Sequence, residues 1–159
     1  MTRILFAIAL SCAATPSLSL SCLPATVANS FKEAAASEQT YIVVHGTLSF
    51  DDSKLPKVDL ERQDQTPPQT DIPGRLTGKS LSKSGFEATF DRPITVRAIC
   101  LGPWCGKPVS GTEYLSFLEK TSDGYLLAIS PCGGYDFANP TPEMLRTATQ
   151  CMQGGDCQD

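Results

Sequence analysis

The chain is poor in the side chains on which most enzymes and nucleic-acid-binding proteins rely. It has one histidine, His45, and one tryptophan, Trp104, in 159 residues. A lone histidine cannot build a histidine-based metal cluster. No Gly-x-Ser-x-Gly elbow presents a serine nucleophile, and no glycine-rich loop cradles a phosphate, so no catalytic residue, metal site or cofactor is expected. Basic residues are outnumbered, 13 Lys and Arg against 17 Asp and Glu, which removes the positive footprint that nucleic acid or an anionic membrane requires. The one clear apolar run, Ile4 to Leu10, is too short to span a bilayer. No internal repeat appears.

Cysteine is what the chain has in excess, with seven. Cys12 falls in an N-terminal stretch with the grammar of an export signal: Arg3, the apolar run, then small and polar residues through Ser17, Ser19 and Ser21. Residues 1–21 are read as a signal peptide and 22–159 as a single domain. Removing Arg3 with the leader leaves twelve basic against seventeen acidic residues, a net charge of −5 with His45 neutral. The remaining cysteines, Cys22, Cys100, Cys105, Cys132, Cys151 and Cys157, pair off evenly and point to an oxidising compartment, the periplasm or the exterior. Neither Cys12 nor Cys22 has Leu three residues before it, so a lipid anchor is not expected.

Periodicity supplies the architecture. Val27, Phe31, Ala34 and Ala35 at helical spacing predict a short helix between Pro24 and Gln39. Tyr41 to Phe50 reads as a strand with Ile42, Val44, Leu48 and Phe50 on one face, interrupted by Gly46, where a small barrel needs a bend. From Asp51 to Ile72 a Pro-, Gln- and Asp-rich stretch reads as an irregular connection, with Asp51-Asp52 as a polar turn rather than a cation site. Strands follow over Arg75 to Leu81 and over Phe86 to Cys100, the latter broken or bent at Asp91-Arg92-Pro93. Two more, Tyr114 to Lys120 and Tyr125 to Ser130, are joined by an Asp123-Gly124 hairpin turn. Thr141-Pro142-Glu143 opens a final helix carrying Met144, Leu145, Ala148 and Met152 on one face, stopped by Gly154-Gly155. The expected fold is mainly β, a small closed OB-like barrel of about five or six antiparallel strands with a helix at each end.

Trp104-Cys105-Gly106, Glu113-Tyr114-Leu115, Asp123-Gly124-Tyr125-Leu126, Pro131-Cys132 and a terminal helix bearing Cys151, in that order after Ser21-Cys22-Leu23-Pro24, resemble the netrin-module and tissue-inhibitor-of-metalloproteinases superfamily. The resemblance spans most of the chain beyond the leader and implies an OB-fold barrel with terminal helices. It also implies a bond from Cys22 to Cys132, leaving Cys105 to pair with Cys100 and Cys151 with Cys157, one of the fifteen pairings that six cysteines allow. The chain departs from the inhibitors at the front. Their zinc-chelating first cysteine has no counterpart, because Leu20 stands there and Cys22 aligns with their second.

Three functional readings follow. The leading one is an exported, non-enzymatic binding module for a protein or small molecule, with aromatics on disulfide-held loops as contacts: Trp104, Tyr135 and Phe137, with Leu23 beside Cys22. The competing bland reading makes Trp104 and Phe137 plugs at the barrel ends. The second is a protease or hydrolase inhibitor working through the processed N-terminal edge, where a free amine on Cys22 with its carbonyl would form a bidentate metal ligand. The third, a thiol-disulfide oxidoreductase, rests on Trp104-Cys105-Gly106-Lys107-Pro108, in which Pro108 occupies the place of the resolving cysteine. His45 reads as a half-exposed strand residue, and Ser80-x-x-Lys83 as a chance spacing at a strand end.

Overall fold

The computed structural model describes residues 20–158, so the expected leader lies outside the described residues except for Leu20 and Ser21. The elements run α1 (Val27–Ala36), β1 (Tyr41–Phe50), β2 (Gln69–Ser82), β3 (Gly85–Leu101), β4 (Trp104–Cys105), β5 (Thr112–Thr121), β6 (Gly124–Ile129), β7 (Asp136–Ala138) and α2 (Pro142–Met152). Five strands close a ring in the order β1-β2-β3-β6-β5, with β5 returning to pair with β1. The molecule is mainly β, an OB-like barrel with a helix near each end. Four of the five ring pairings are antiparallel as expected, and the fifth, β3 with β6, is parallel. A parallel pair cannot be closed by a hairpin. Here β4, a loop and β5 intervene before the chain returns as β6.

The ring encloses one apolar core and carries a second on its outside. Val44, Leu48, Ile72, Leu76, Leu118 and Leu127 fill the interior. Val27, Leu115, Phe117, Phe137 and Ala148 form the outer cluster, against which α1 and α2 lay their apolar faces. Each fully buried Leu or Phe contributes about 1.5–3 kcal/mol relative to an exposed one. The α1 cap is Thr26, whose hydroxyl accepts the Asn29 amide at 3.3 Å, and the α2 cap is Thr141, accepting from Met144, with Pro142 at the first helical position.

Three features differ from the sequence reading. β2 begins at Gln69 and passes straight through Pro73-Gly74. Pro73 is opposite Thr95 on β3, and β1 begins pairing with β2 only at Gly74, so no ladder bond from β1 is lost. β3 is likewise continuous through Pro93, because its second neighbour, β6, begins only at Thr95. Phe86 and Phe90, which alternation placed on one face, are split. Ser80 pairs with Ala88 but Leu81 pairs with Phe86, so Glu87 is an inserted bulge residue that turns Phe86 outward to the helices while Phe90 stays in the interior.

Gly46 performs the role its position suggested. It lies opposite Gly78 on β2 and Tyr114 on β5, at the point where β1 serves both sides of the closure. A Cβ on Gly46 would run into the Thr77 carbonyl, and one on Gly78 into the His45 carbonyl. The strands coil past each other here at backbone contact.

Three disulfides complete the framework: Cys22–Cys132, Cys100–Cys105 and Cys151–Cys157, the same pairs that the resemblance implied. They fit an oxidising environment. Among the described residues no helix is long and apolar enough to cross a membrane.

Two outcomes are expected in urea unfolding. Gly78→Ala lowers stability by about 1–3 kcal/mol through overpacking at this crossing, with the midpoint moving and the slope unchanged; an unaltered midpoint refutes the contact. The Cys22–Cys132 bond spans 110 residues and the Cys151–Cys157 bond 6. On the loop-entropy relation, replacing the first pair with alanines costs about 4–5 kcal/mol and the second about 2 kcal/mol.

Candidate functional site

Because β3 and β6 run parallel, both leave the barrel at the same end. Ala98 lies beside Ile129, so the Leu101–Trp104 hairpin and the Ser130–Cys132 segment emerge side by side. Gly106 fixes that proximity: its amide donates to the Ile99 carbonyl at 2.8 Å, and a Cβ on it would strike the Ile129 carbonyl. Cys100 and Cys105 are cross-strand partners in the β3–β4 pair, and their disulfide staples the hairpin at its base.

The N-terminal segment joins this end through Cys22–Cys132. The turn it grips is internally bonded. Ser130 Oγ accepts the Cys132 amide at 3.2 Å and donates to the Gly133 carbonyl at 2.9 Å. A second tie comes from α1, where the buried Ser30 hydroxyl donates to the Thr26 and Gly134 carbonyls. The C-terminal loop approaches the same helix, with Cys157 Sγ 3.7 Å from the Ala28 carbonyl.

The expected contact residues separate on this scaffold. Leu23 is 90% exposed next to the disulfide, and Leu101, which sequence reasoning did not single out, is 45% exposed opposite Trp104. Trp104 is half-buried, its ring lying 3.8 Å from where a Cβ on Gly102 would sit. Phe137 is not a surface residue: it is 8% exposed in the outer core, 6.3 Å from the Phe117 ring. Tyr135 is half-buried and stacks on Tyr41 with ring centroids 5.0 Å apart, which places it against the outer cluster with the helices. Burial, reinforced by Tyr135, pushes the Tyr41 hydroxyl up to about 12. Both aromatics pack toward the helices, Phe137 through strand alternation in β7 and Tyr135 from the turn that precedes it.

Chemistry elsewhere on the surface is structural in character. His45 Nε2 stands 4.0 Å from Glu113 Oε2, with its ring edge-on to Phe86 at 5.9 Å and no serine or cysteine in hydrogen-bond contact. Asp51 caps its own turn by accepting from the Ser53 amide and hydroxyl, and these bonds hold its carboxyl below the usual range. Asp71 accepts two bonds from Arg97 at 2.6 and 2.7 Å, and Asp91 accepts from Arg75 at 2.7 Å and Thr77 at 2.9 Å. Those partners lower both carboxyls and clasp β2 to β3. Ser80 Oγ is directed to the Ala88 carbonyl and not to Lys83. Among the described residues no group of three or more His, Cys, Asp or Glu side chains is placed to hold a metal ion.

The arrangement offers a partly apolar rim built from a disulfide-tied N-terminal strap and a stapled hairpin. No protein-family model, no curated protein and no solved structure matches the chain.

Proposed function

We propose that the protein is an exported, non-enzymatic binding module of the netrin-module and tissue-inhibitor type, acting in the periplasm or outside the cell on a protein partner. Its contact face is the disulfide-tied end of the barrel. What supports this reading is that exposed Leu23, exposed Leu101 and half-buried Trp104 all lie on segments tied by the Cys22–Cys132 and Cys100–Cys105 bonds. Side chains held in place before binding lose little entropy on complex formation, so a small apolar rim can reach useful affinity. The net negative charge of the chain supports a protein partner over nucleic acid. Engagement of the Cys22 sulfur with Cys132 supports a module without a lipid on that residue.

A second reading, inhibition of a protease or hydrolase through the processed N-terminal edge, is favoured by one feature. Ser21, Cys22, Leu23 and Pro24 are all exposed on the strap that Cys132 anchors. It requires the processed chain to begin at Cys22.

The test uses the oxidised, processed protein as bait, with the captured partner then titrated against variants. Leu23→Asp and Trp104→Ala are each expected to weaken binding at least tenfold, as central contacts of an interface do. Lys83→Glu, at the β2–β3 turn on the opposite end, should leave it unchanged. Equal loss in all three, or none in the first two, refutes the contact face. The intact mass of the processed chain decides between the readings, since any residue left before Cys22 removes the chelating amine.

A further inference from the structure

The rung that joins β5 to β7 holds an unusual pair. Ser116 is opposite Asp136, just as Tyr114 is opposite Ala138 and Leu115 opposite Phe137. Phe137 and Leu115 belong to the outer cluster, so by strand alternation Ser116 and Asp136 point the other way, toward the interior occupied by Tyr114, Val44 and Leu118. Ser116 is fully buried, and both its Oγ and Asp136 Oδ1 are out of solvent with no hydrogen-bond partner. Two orphaned polar atoms facing each other across one rung, in a barrel otherwise closed by apolar side chains, require an explanation.

We propose that Asp136 is a proton-operated latch: in its neutral form the carboxyl O–H donates to Ser116 Oγ and holds β7 on the barrel, and loss of that proton releases β7 together with the turn leading back to Cys132. Cross-strand partners have their Cβ atoms about 4.5–5.5 Å apart, so rotation about the side-chain bonds brings the two oxygens within bonding reach. The proton goes to solvent on release, and the carboxylate left behind has no donor beside it.

The surroundings favour the neutral form. From β5 this face carries Tyr114 and, at its exposed far end, Lys120; the Tyr114 hydroxyl accepts the Val109 amide at 2.9 Å and is held above the usual phenol range by burial, with the Asp136 and Asp52 carboxyls adding to it. From β6 the interior face offers Leu127 and Ile129, while Tyr125, its one titratable residue, packs against Phe90 with ring centroids 5.2 Å apart. No Lys, Arg or His pairs with Asp136 among the described residues. Burial alone pushes the Asp136 carboxyl from 3.8 up to about 7. The folded chain therefore keeps a proton that the unfolded chain releases near 3.8. The latch is at full strength below that value, weakens as pH rises, and has given up its contribution above about 7. Its working window therefore runs from about 3.8 to about 7, and it operates whether or not the Leu23–Trp104 end is a contact surface.

Hydrogen exchange of the peptide spanning residues 131–140, corrected for the intrinsic pH dependence of exchange, tests the latch on the intact oxidised protein. Between pH 6 and pH 8.5 its protection should fall about tenfold in the wild type, the change expected when opening exposes a carboxyl that titrates about three units lower. In Asp136→Asn, whose amide still donates to Ser116, protection should stay flat. In Ser116→Ala protection at pH 6 should drop toward the wild-type value at pH 8.5. Parallel profiles for the wild type and Asp136→Asn overturn the proposal. Should the Asn variant fail to fold, the carboxyl carbon resonance of Asp136 decides: a midpoint near 7 supports the latch, and one near 4 removes it.

Discussion

Everything in this fold depends on β5 being buried on both faces. Tyr114, Ser116 and Leu118 point into the ring, Leu115 and Phe117 point out beneath the helices, and all five are shielded from solvent. One edge of the strand pairs with β1, and the other pairs with β6 near its C-terminal end and with β7 nearer its N-terminal end. A strand buried so completely fixes its own register, because a one-residue slip would exchange the inner and outer sets along its whole length. Phe117 shows the outer half of that constraint. Its ring meets Phe31 from α1, Phe137 from β7 and Tyr135 from the preceding turn, all with centroids between 6.1 and 6.3 Å, so α1 and the β7 segment are positioned by one aromatic.

The disulfides make sense against that arrangement. The ring can close without them, since its seams are backbone ladders around an apolar interior. What the ladders do not hold is the chain beyond them: residues 20–26 precede the first helix, the 101–106 hairpin overhangs the end of β3, and residues 153–158 follow α2. Each of these three overhangs carries one of the bonds. The covalent links therefore act on presentation of the periphery as much as on stability of the core, and the exposed apolar residues Leu23 and Leu101 lie on two of the three fixed segments.

Much of this was legible in the sequence wherever one periodicity ran undisturbed. β1 and α2 emerged within a residue or two of their boundaries because apolar spacing and capping residues agreed. The long β2–β3 hairpin exceeds what the sequence suggests because Pro73, Gly74 and Pro93 are breakers by type, and only the strand pairing shows that each proline stands where a neighbouring strand is absent while Gly74 is the first β2 residue to pair with β1. The Glu87 bulge was invisible for a related reason: alternation cannot be counted through an inserted residue. β7 is three residues long and begins with an acid, so no window could detect it. At the disulfide-tied end the cysteines and Trp104 stand out by composition, whereas Leu101 is hidden in an apolar strand; for Phe137 the sequence leaves a contact role and a core plug both open, and only β7 shows it turned inward.

That same short strand separates two roles that the sequence runs together. Between Cys132 and Asn139 the chain passes from a covalent anchor, through a turn bonded by Ser130 and Ser30, to a strand whose residues alternate strictly between the outer core and the interior. Apolar residues throughout this segment would seat β7 more firmly, because an unpaired buried carboxyl weakens a fold. An aspartate on the inward face of β7 therefore opposes the packing of its neighbours Tyr135 and Phe137, which lie on the same few residues and pull the strand onto the barrel. The segment is thus held by strong outer contacts and, on the proposed latch, by an inner carboxyl that supports docking only while it keeps its proton. Its first residue is bonded to the N-terminal strap, so the strap would take part in any change.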